Sequence, residues 1–144
     1  MKLLRKKLLR IERVRSIEQG VLDRLSTQIL VLQMHIHSLI ARRDQLREQT
    51  DKLQAMERLP SVEQLCHSAA WLENIRAQTD ELEMHIAEAE RQQEALYQRV
   101  AEQKSKVRGW DVLIEQIQSR ITLETHNREG LAASDRYLHT RQGN

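Results

Sequence analysis

The sequence predicts an all-α fold: two long helices that pair as an antiparallel coiled-coil hairpin. Charged residues make up 31% of the chain and aromatic residues 3%, with no Phe, four Gly and one Pro. This composition is typical of long helices and not of a layered globular core. Leucine and isoleucine recur every seven residues on both sides of the lone Pro60, a pattern that indicates coiled coil. We therefore expect residues 1–144 to form one elongated coiled-coil domain.

The first helix is predicted to span about residues 2–58. Its heptad d positions hold Leu25, Leu32, Leu39, Leu46 and Leu53. Its a positions hold Leu8, Leu22, Ile29 and Ile36, and the same frame takes in Leu4 and Ile11. Leu30, Val31 and Met34 lie outside this seam. Because a pair of helices cannot bury them, they predict a partner surface or a further helix.

The connection between the helices is predicted at residues 59–61. Pro60 lacks an N–H group and disfavours helix at Leu59, so the first helix should end near Arg58. Ser61 then suits the N-cap of the second helix, and Gln64 occupies the N3 position of a capping box. Helices joined by so short a connection run antiparallel.

The second helix is predicted from about residue 62 to 138. Its a positions hold Leu65, Leu72, Thr79, Ile86, Gln93, Val100, Val107, Ile114 and Ile121. Its d positions hold Ser68, Ile75, Leu82, Ala89, Leu96, Gln103, Trp110, Ile117, Glu124, Leu131 and Leu138. Gly109 is costly inside a helix, and we expect its small size to help the neighbouring Trp110 ring to pack.

Antiparallel pairing sets a positions opposite d positions and leads to a proposed register. Paired residue numbers should add to about 118, which sets Leu53 against Leu65 and Arg15 against Gln103 in a polar layer. A register one heptad away, with a sum of about 125 and a looser turn, stays open. In the preferred register residue 1 lies opposite residue 117, so the rest of the second helix overhangs. Glu124, Arg128 and Asp135 would then occupy core positions without a partner.

Residue types that carry catalysis or bind metals do not cluster in the sequence. The six histidines form no His-Glu-x-x-His motif, and the chain has neither a pair of cysteines nor a glycine-rich phosphate loop. A helical hairpin also lacks the concave pocket that catalysis needs. We therefore expect no enzyme activity and no catalytic, cofactor-binding or metal-binding residues. The single Cys66 cannot form an internal disulfide and suits a reducing compartment.

The net charge of +2 is small, but the basic residues are concentrated at the start of the chain. Residues 1–15 contain one acid, Glu12, and seven bases: Lys2, Arg5, Lys6, Lys7, Arg10, Arg13 and Arg15. This segment suits a solvated face or a docking surface for an acidic protein. It lacks the aromatic anchors of membrane-surface or nucleic-acid binding. With neither a secretory signal nor a membrane-length apolar run, we expect a soluble, cytoplasmic protein.

Two segments resemble a known family. The opening LLRKKLLRIERVRSIEQGVL and the later KVRGWDVLIEQIQSR are similar to the FliJ/YscO (SctO) family, the central stalk of the type III secretion ATPase in flagella and injectisomes. The tail THNREGLAASDRYLHTR occupies the place of the family's polar C-terminal segment, without the Lys-Lys and Asp-Glu runs that flagellar members carry there.

The resemblance implies a non-enzymatic stalk that inserts into the hexameric secretion ATPase and links it to the export-gate protein of the FlhA/SctV type. Secretion chaperones are a further expected partner, nucleic acid is not, and the membrane is reached only through the export apparatus. The end that enters the ring would carry Lys6, Lys7, Arg10 and Arg13, joined from the overhang by Arg128 and Arg136. An alternative function is a self-associating coiled-coil scaffold or tether, assembled through Leu30, Val31 and Met34.

Overall fold

A computed structural model describes residues 1–56 and 61–142. The described residues contain two helices, α1 (Lys2–Met56) and α2 (Val62–Gln142), and no strand. The helices pack against each other, which confirms the predicted all-α helical hairpin. α2 continues past its predicted end near residue 138. The predicted turn residues Leu59 and Pro60, and the predicted end of the first helix near Arg58, lie outside the described residues.

The start of α2 is set by the predicted capping box. The backbone N–H of Gln64 donates to the Ser61 hydroxyl, and the backbone N–H of Ser61 donates to the side-chain oxygen of Gln64, both at 3.3 Å. The Ser61 carbonyl accepts a bond from the Leu65 N–H at 2.9 Å. These bonds satisfy backbone groups that the first turn of a helix leaves unpaired. Local sequence alone therefore determines where α2 begins.

The heptad positions predicted from the sequence form the contact between the helices. Every predicted a and d residue of α2 from Ser68 to Glu124 is buried or half-buried. The buried hydrophobic residues all occupy predicted seam positions: Ile11, Ile29, Ile36, Leu46, Ile75, Ile86, Ala89, Val100, Val107 and Ile117. Leu65, Leu131 and Leu138 also occupy predicted seam positions, but their side chains are exposed. The predicted seam is confirmed between these ends.

The chain divides into two compact units, and each contains one stretch of each helix. Unit 1 consists of Met1–Arg24 and Ala101–Asn144, and unit 2 of Leu25–Val100. In unit 1, the Arg15 side chain donates to the Asp111 carboxylate at 2.9 Å, and the Thr125 hydroxyl lies 3.5 Å from the Met1 sulfur. Both pairs of residue numbers add to 126, close to the alternative register. The preferred register with a sum of about 118 is therefore wrong.

Unit 2 also fits a sum near 125 better than one of about 118, since the numbers of its paired residues Arg47 and Glu83 add to 130. The Arg47 side chain donates to the Glu83 carboxylate at 2.7 Å, across the two helices. Leu65 is 48% exposed, whereas the preferred register would have covered it with Leu53. The observed register brings opposite charges together across the helices, which the pattern of apolar heptad positions does not specify. Such exposed ion pairs are individually weak, at about 0 to 1 kcal/mol each.

In the observed register, the exposed C-terminal stretch of α2 begins later in the chain than predicted. Glu124, expected to lack a partner, is instead half-buried, and its neighbour Thr125 contacts Met1. Residues 126–141 of α2 are all exposed, including Arg128 and Asp135. The overhang thus begins after Thr125 and not near residue 117.

A polar layer is present in unit 1, with a different partner from the one predicted. The buried Gln103 donates from Nε2 to the backbone carbonyl of Glu18 at 2.9 Å, and also to the Glu18 carboxylate. Arg15, its predicted partner, bonds Asp111 instead. Among the described residues, every buried side-chain nitrogen or oxygen has a hydrogen-bond partner. The layer therefore avoids the penalty of an unpaired buried amide.

The position of Gly109 is open toward the rest of the molecule. Apart from its chain neighbours and the backbone of its own helix, no atom lies within 4 Å of where a Cβ atom at Gly109 would stand. The expected packing of Gly109 beside the half-buried Trp110 ring stays a prediction.

Candidate partner-binding surfaces

All predicted partner-binding residues are exposed, and they form three groups. The first is the basic N-terminal segment of α1 in unit 1: Lys6, Lys7, Arg10 and Arg13. The second is an apolar group on α1 in unit 2: Leu30, Val31 and Met34. The third is Arg128 and Arg136 on the exposed final turns of α2, in unit 1.

The basic segment has a high density of charge that is not neutralised locally. Within the described parts of the chain, none of the four bases forms an ion pair. Lys6 and Arg13 occupy f positions, which face away from the seam, while Arg10 lies at c and Lys7 at g. Their charges are therefore available to an acidic partner.

The final turns of α2 extend past the start of α1, the helix that carries this basic segment. The contact between Met1 and Thr125 places the start of α1 at the last paired turn of α2. The α2 helix then continues through Gln142 with its side chains exposed as far as Arg141. Two of these side chains, Leu131 and Leu138, occupy seam positions that no residue of α1 covers. Unit 1 therefore combines a basic end with a helical extension whose apolar seam is open.

The apolar group in unit 2 lies on the outer face of α1. Leu30, Val31 and Met34 are 61%, 62% and 73% exposed. They occupy the b, c and f positions, which are adjacent around a helix. Val31 also lines a groove between the helices with Ala95 and Leu96. The exposure is the one expected from the sequence.

The two flanks of the helix pair differ, a feature that is not among the predictions made from the sequence. In unit 1, the b and e positions form one flank of the helix pair. On this flank Asp111 contacts Arg15 of the seam, and Leu9 and Thr122 line a groove. The c and g positions lie on the opposite flank and include the exposed Ile17 and the half-buried Leu113. Reading the c and g positions of both helices together would have shown this difference.

Membrane spans and metal-binding clusters are absent from the part of the chain that the structure describes. Over residues 1–56 and 61–142, no helix has the length and apolar character needed to cross a membrane. In the same ranges, no group of three or more His, Cys, Asp or Glu side chains is placed to hold a metal ion. Cys66 is a free, exposed thiol.

Comparison of the chain with protein-family models, with curated proteins and with solved structures finds no match.

Proposed function

We propose that this chain is a non-enzymatic, cytoplasmic stalk of a type III secretion system. It inserts into the hexameric secretion ATPase and links it to the export-gate protein of the FlhA/SctV type, with secretion chaperones as further partners. The observation that supports this best is the organisation of unit 1. The start of α1 carries four bases that form no ion pair among the described residues, and α2 continues past this start as a helical extension, residues 126–141, whose side chains are all exposed.

Such an end suits insertion into a ring of subunits. The charges of Lys6, Lys7, Arg10 and Arg13 would steer it toward an acidic lumen, since fields of this kind act before contact is made. Leu131 and Leu138 would then pack against the ring, because burial against an apolar partner stabilises an exposed heptad seam. Arg128 and Arg136 on the same stretch would add polar contacts.

In this proposal the two helices carry the coupling to the export gate. α1 and α2 each run without interruption through both units. A displacement of the end held by the ATPase would pass along these helices to the rest of the chain. In this proposal the chain binds no nucleic acid and meets the membrane only through the export apparatus.

The proposal is tested by the rate of ATP hydrolysis of the purified secretion ATPase from the same organism, with and without this chain. The test variant reverses three charges: Lys6→Glu, Lys7→Glu and Arg10→Glu. The matched control reverses three exposed bases of unit 2: Arg42→Glu, Arg76→Glu and Arg99→Glu. We expect the wild-type chain and the control to promote hexamer formation and hydrolysis, and the test variant to lose this effect. Equal stimulation by both variants, with helicity intact by circular dichroism, would contradict the proposal.

A second candidate function is a self-associating scaffold or tether. The exposed Leu30, Val31 and Met34 favour it, since such a group is costly to leave in water. Sedimentation analysis separates the two candidates. A 17.0 kDa monomer fits the stalk, whereas a dimer that dissociates on Leu30→Glu and Met34→Glu fits the scaffold.

A further inference from the structure

In unit 1, the two flanks of the helix pair carry different charge. Between residues 2–24 and 101–125, the b and e positions hold four bases and four acids. The c and g positions hold five bases, Lys7, Arg10, Arg24, Lys106 and Arg120, and one acid, Glu102. We call this second side the c/g flank of unit 1. It has an excess of positive charge, whereas the opposite flank is balanced.

The same flank carries a stripe of apolar side chains. Leu3, Ile17 and Leu123 are 83%, 65% and 60% exposed. Val14 is exposed and Leu113 half-buried, both at g positions next to the seam. Gly109, at a c position, leaves open space where a side chain would stand. An exposed apolar stripe bordered by charge marks an interaction surface.

The basic residues of this flank are available for a partner. All five are exposed, and none forms an ion pair within the described ranges. Arg24 donates only to the Gly20 carbonyl of its own helix, at 3.3 Å. On the opposite flank, Asp111 pairs with Arg15, which lies at an a position of the seam.

We propose that the c/g flank of unit 1 docks one amphipathic helix of a protein partner, with an apolar stripe bordered by Glu and Asp. The flank runs from Leu3 to Arg24, which at 1.5 Å per residue is about 30 Å and matches a helix of about 20 residues. A helix laid along this flank would bury its apolar face against the stripe while its acidic residues meet the bases. This inference does not depend on the secretion proposal.

Other occupants fit these observations less well. A second copy would set two positively charged flanks against each other, and like charges across an interface are unfavourable. A nucleic acid would use the bases but not the apolar stripe of Ile17 and Leu113. The stripe also lacks the aromatic side chains with which interfacial helices anchor in a membrane.

The inference is tested with two synthetic fluorescent peptides of about 20 residues, each carrying Leu on one helical face. One has Glu on both borders of that face, and the control peptide has Lys there. Fluorescence anisotropy on the full chain measures their dissociation constants at low and moderate salt. Anionic vesicles containing phosphatidylserine and a short DNA duplex are titrated in parallel. We expect binding of the Glu peptide, weakened by salt, and none of the Lys peptide.

Matched variants locate the binding. Lys106→Glu with Arg120→Glu changes the c/g flank, and Lys104→Glu with Arg108→Glu makes the same charge change on the b and e positions of the same helix. We expect the first pair to weaken the Glu peptide about tenfold or more, and the second about twofold or less. Circular dichroism confirms that both variants fold.

The apolar stripe is tested separately by Ile17→Ser, with Leu9→Ser as its control. Both residues are exposed on α1, at 65% and 58%, and they lie on opposite flanks. Only Ile17→Ser should weaken the peptide. Failure of the wild-type chain to bind the Glu peptide would overturn the inference, as would equal effects of the two charge variants. Binding of vesicles or DNA without binding of the Glu peptide would overturn it too, in favour of a lipid or nucleic-acid surface.

Discussion

Replacing Leu46 by Ala tests whether the seam holds the hairpin together. Leu46 occupies a d position of unit 2 and is 3% exposed. The substitution removes three carbon atoms, which at about 0.8 kcal/mol each costs roughly 2.4 kcal/mol of burial. The cavity left behind adds to this cost. Because the seam between two helices is open on both flanks, neighbours can close in, and we expect a total loss of about 3 kcal/mol.

The measurement is urea denaturation followed by far-UV circular dichroism, with Leu30→Ala as the control. Leu30 lies on the same helix but is 61% exposed, so its truncation should change the free energy of unfolding by about 0.5 kcal/mol or less. Both changes replace leucine by alanine, which cancels the small difference in helix propensity. If the two variants lose the same stability, the seam does not carry the stability of unit 2, and the reasoning fails.

Three further predictions concern single positions. Gly109→Ala should stabilise the chain by about 1 kcal/mol in the same denaturation assay, because the added Cβ meets no atom within 4 Å; a loss of stability would show that the site is crowded. Ser61→Ala should cost about 1 kcal/mol and shorten α2 at its start, seen as faster amide exchange there, because the cap bonds are lost; unchanged exchange would contradict the cap. In a chain without the Cys66 thiol, Leu8→Cys should form a disulfide with Ile117→Cys but not with Trp110→Cys. Gel mobility detects the disulfide, and the reverse result would restore the register with a sum of about 118.

Local features of this fold could be predicted from the sequence because they depend on neighbours along the chain. The capping box of Ser61 and Gln64 needs only residues three apart, and its two bonds are present. The seam follows from the seven-residue period, which sets which side of each helix is apolar. Exposure of Leu30, Val31 and Met34 follows from the same period, since a residue outside the seam of a helix pair has nothing to cover it.

The sequence could not decide features that depend on contacts between the helices. A shift of one heptad again places a positions opposite d positions, so periodicity fits both registers equally. The contacts of Arg15 with Asp111 and of Met1 with Thr125 distinguish the two registers. In the observed register, the exposed stretch of α2 begins after Thr125.

The candidate partner-binding surfaces also combine features that the sequence determines with features that only the tertiary structure determines. The sequence alone determined that the start of the chain is basic and that some apolar side chains lie outside the seam. Antiparallel pairing already places the c and g positions of both helices on one flank, but only the tertiary structure decided the register, and so which residues of α1 and α2 are neighbours on that flank. The physical reason is that charge and hydropathy belong to single residues, whereas a surface is made by the packing that brings distant residues together.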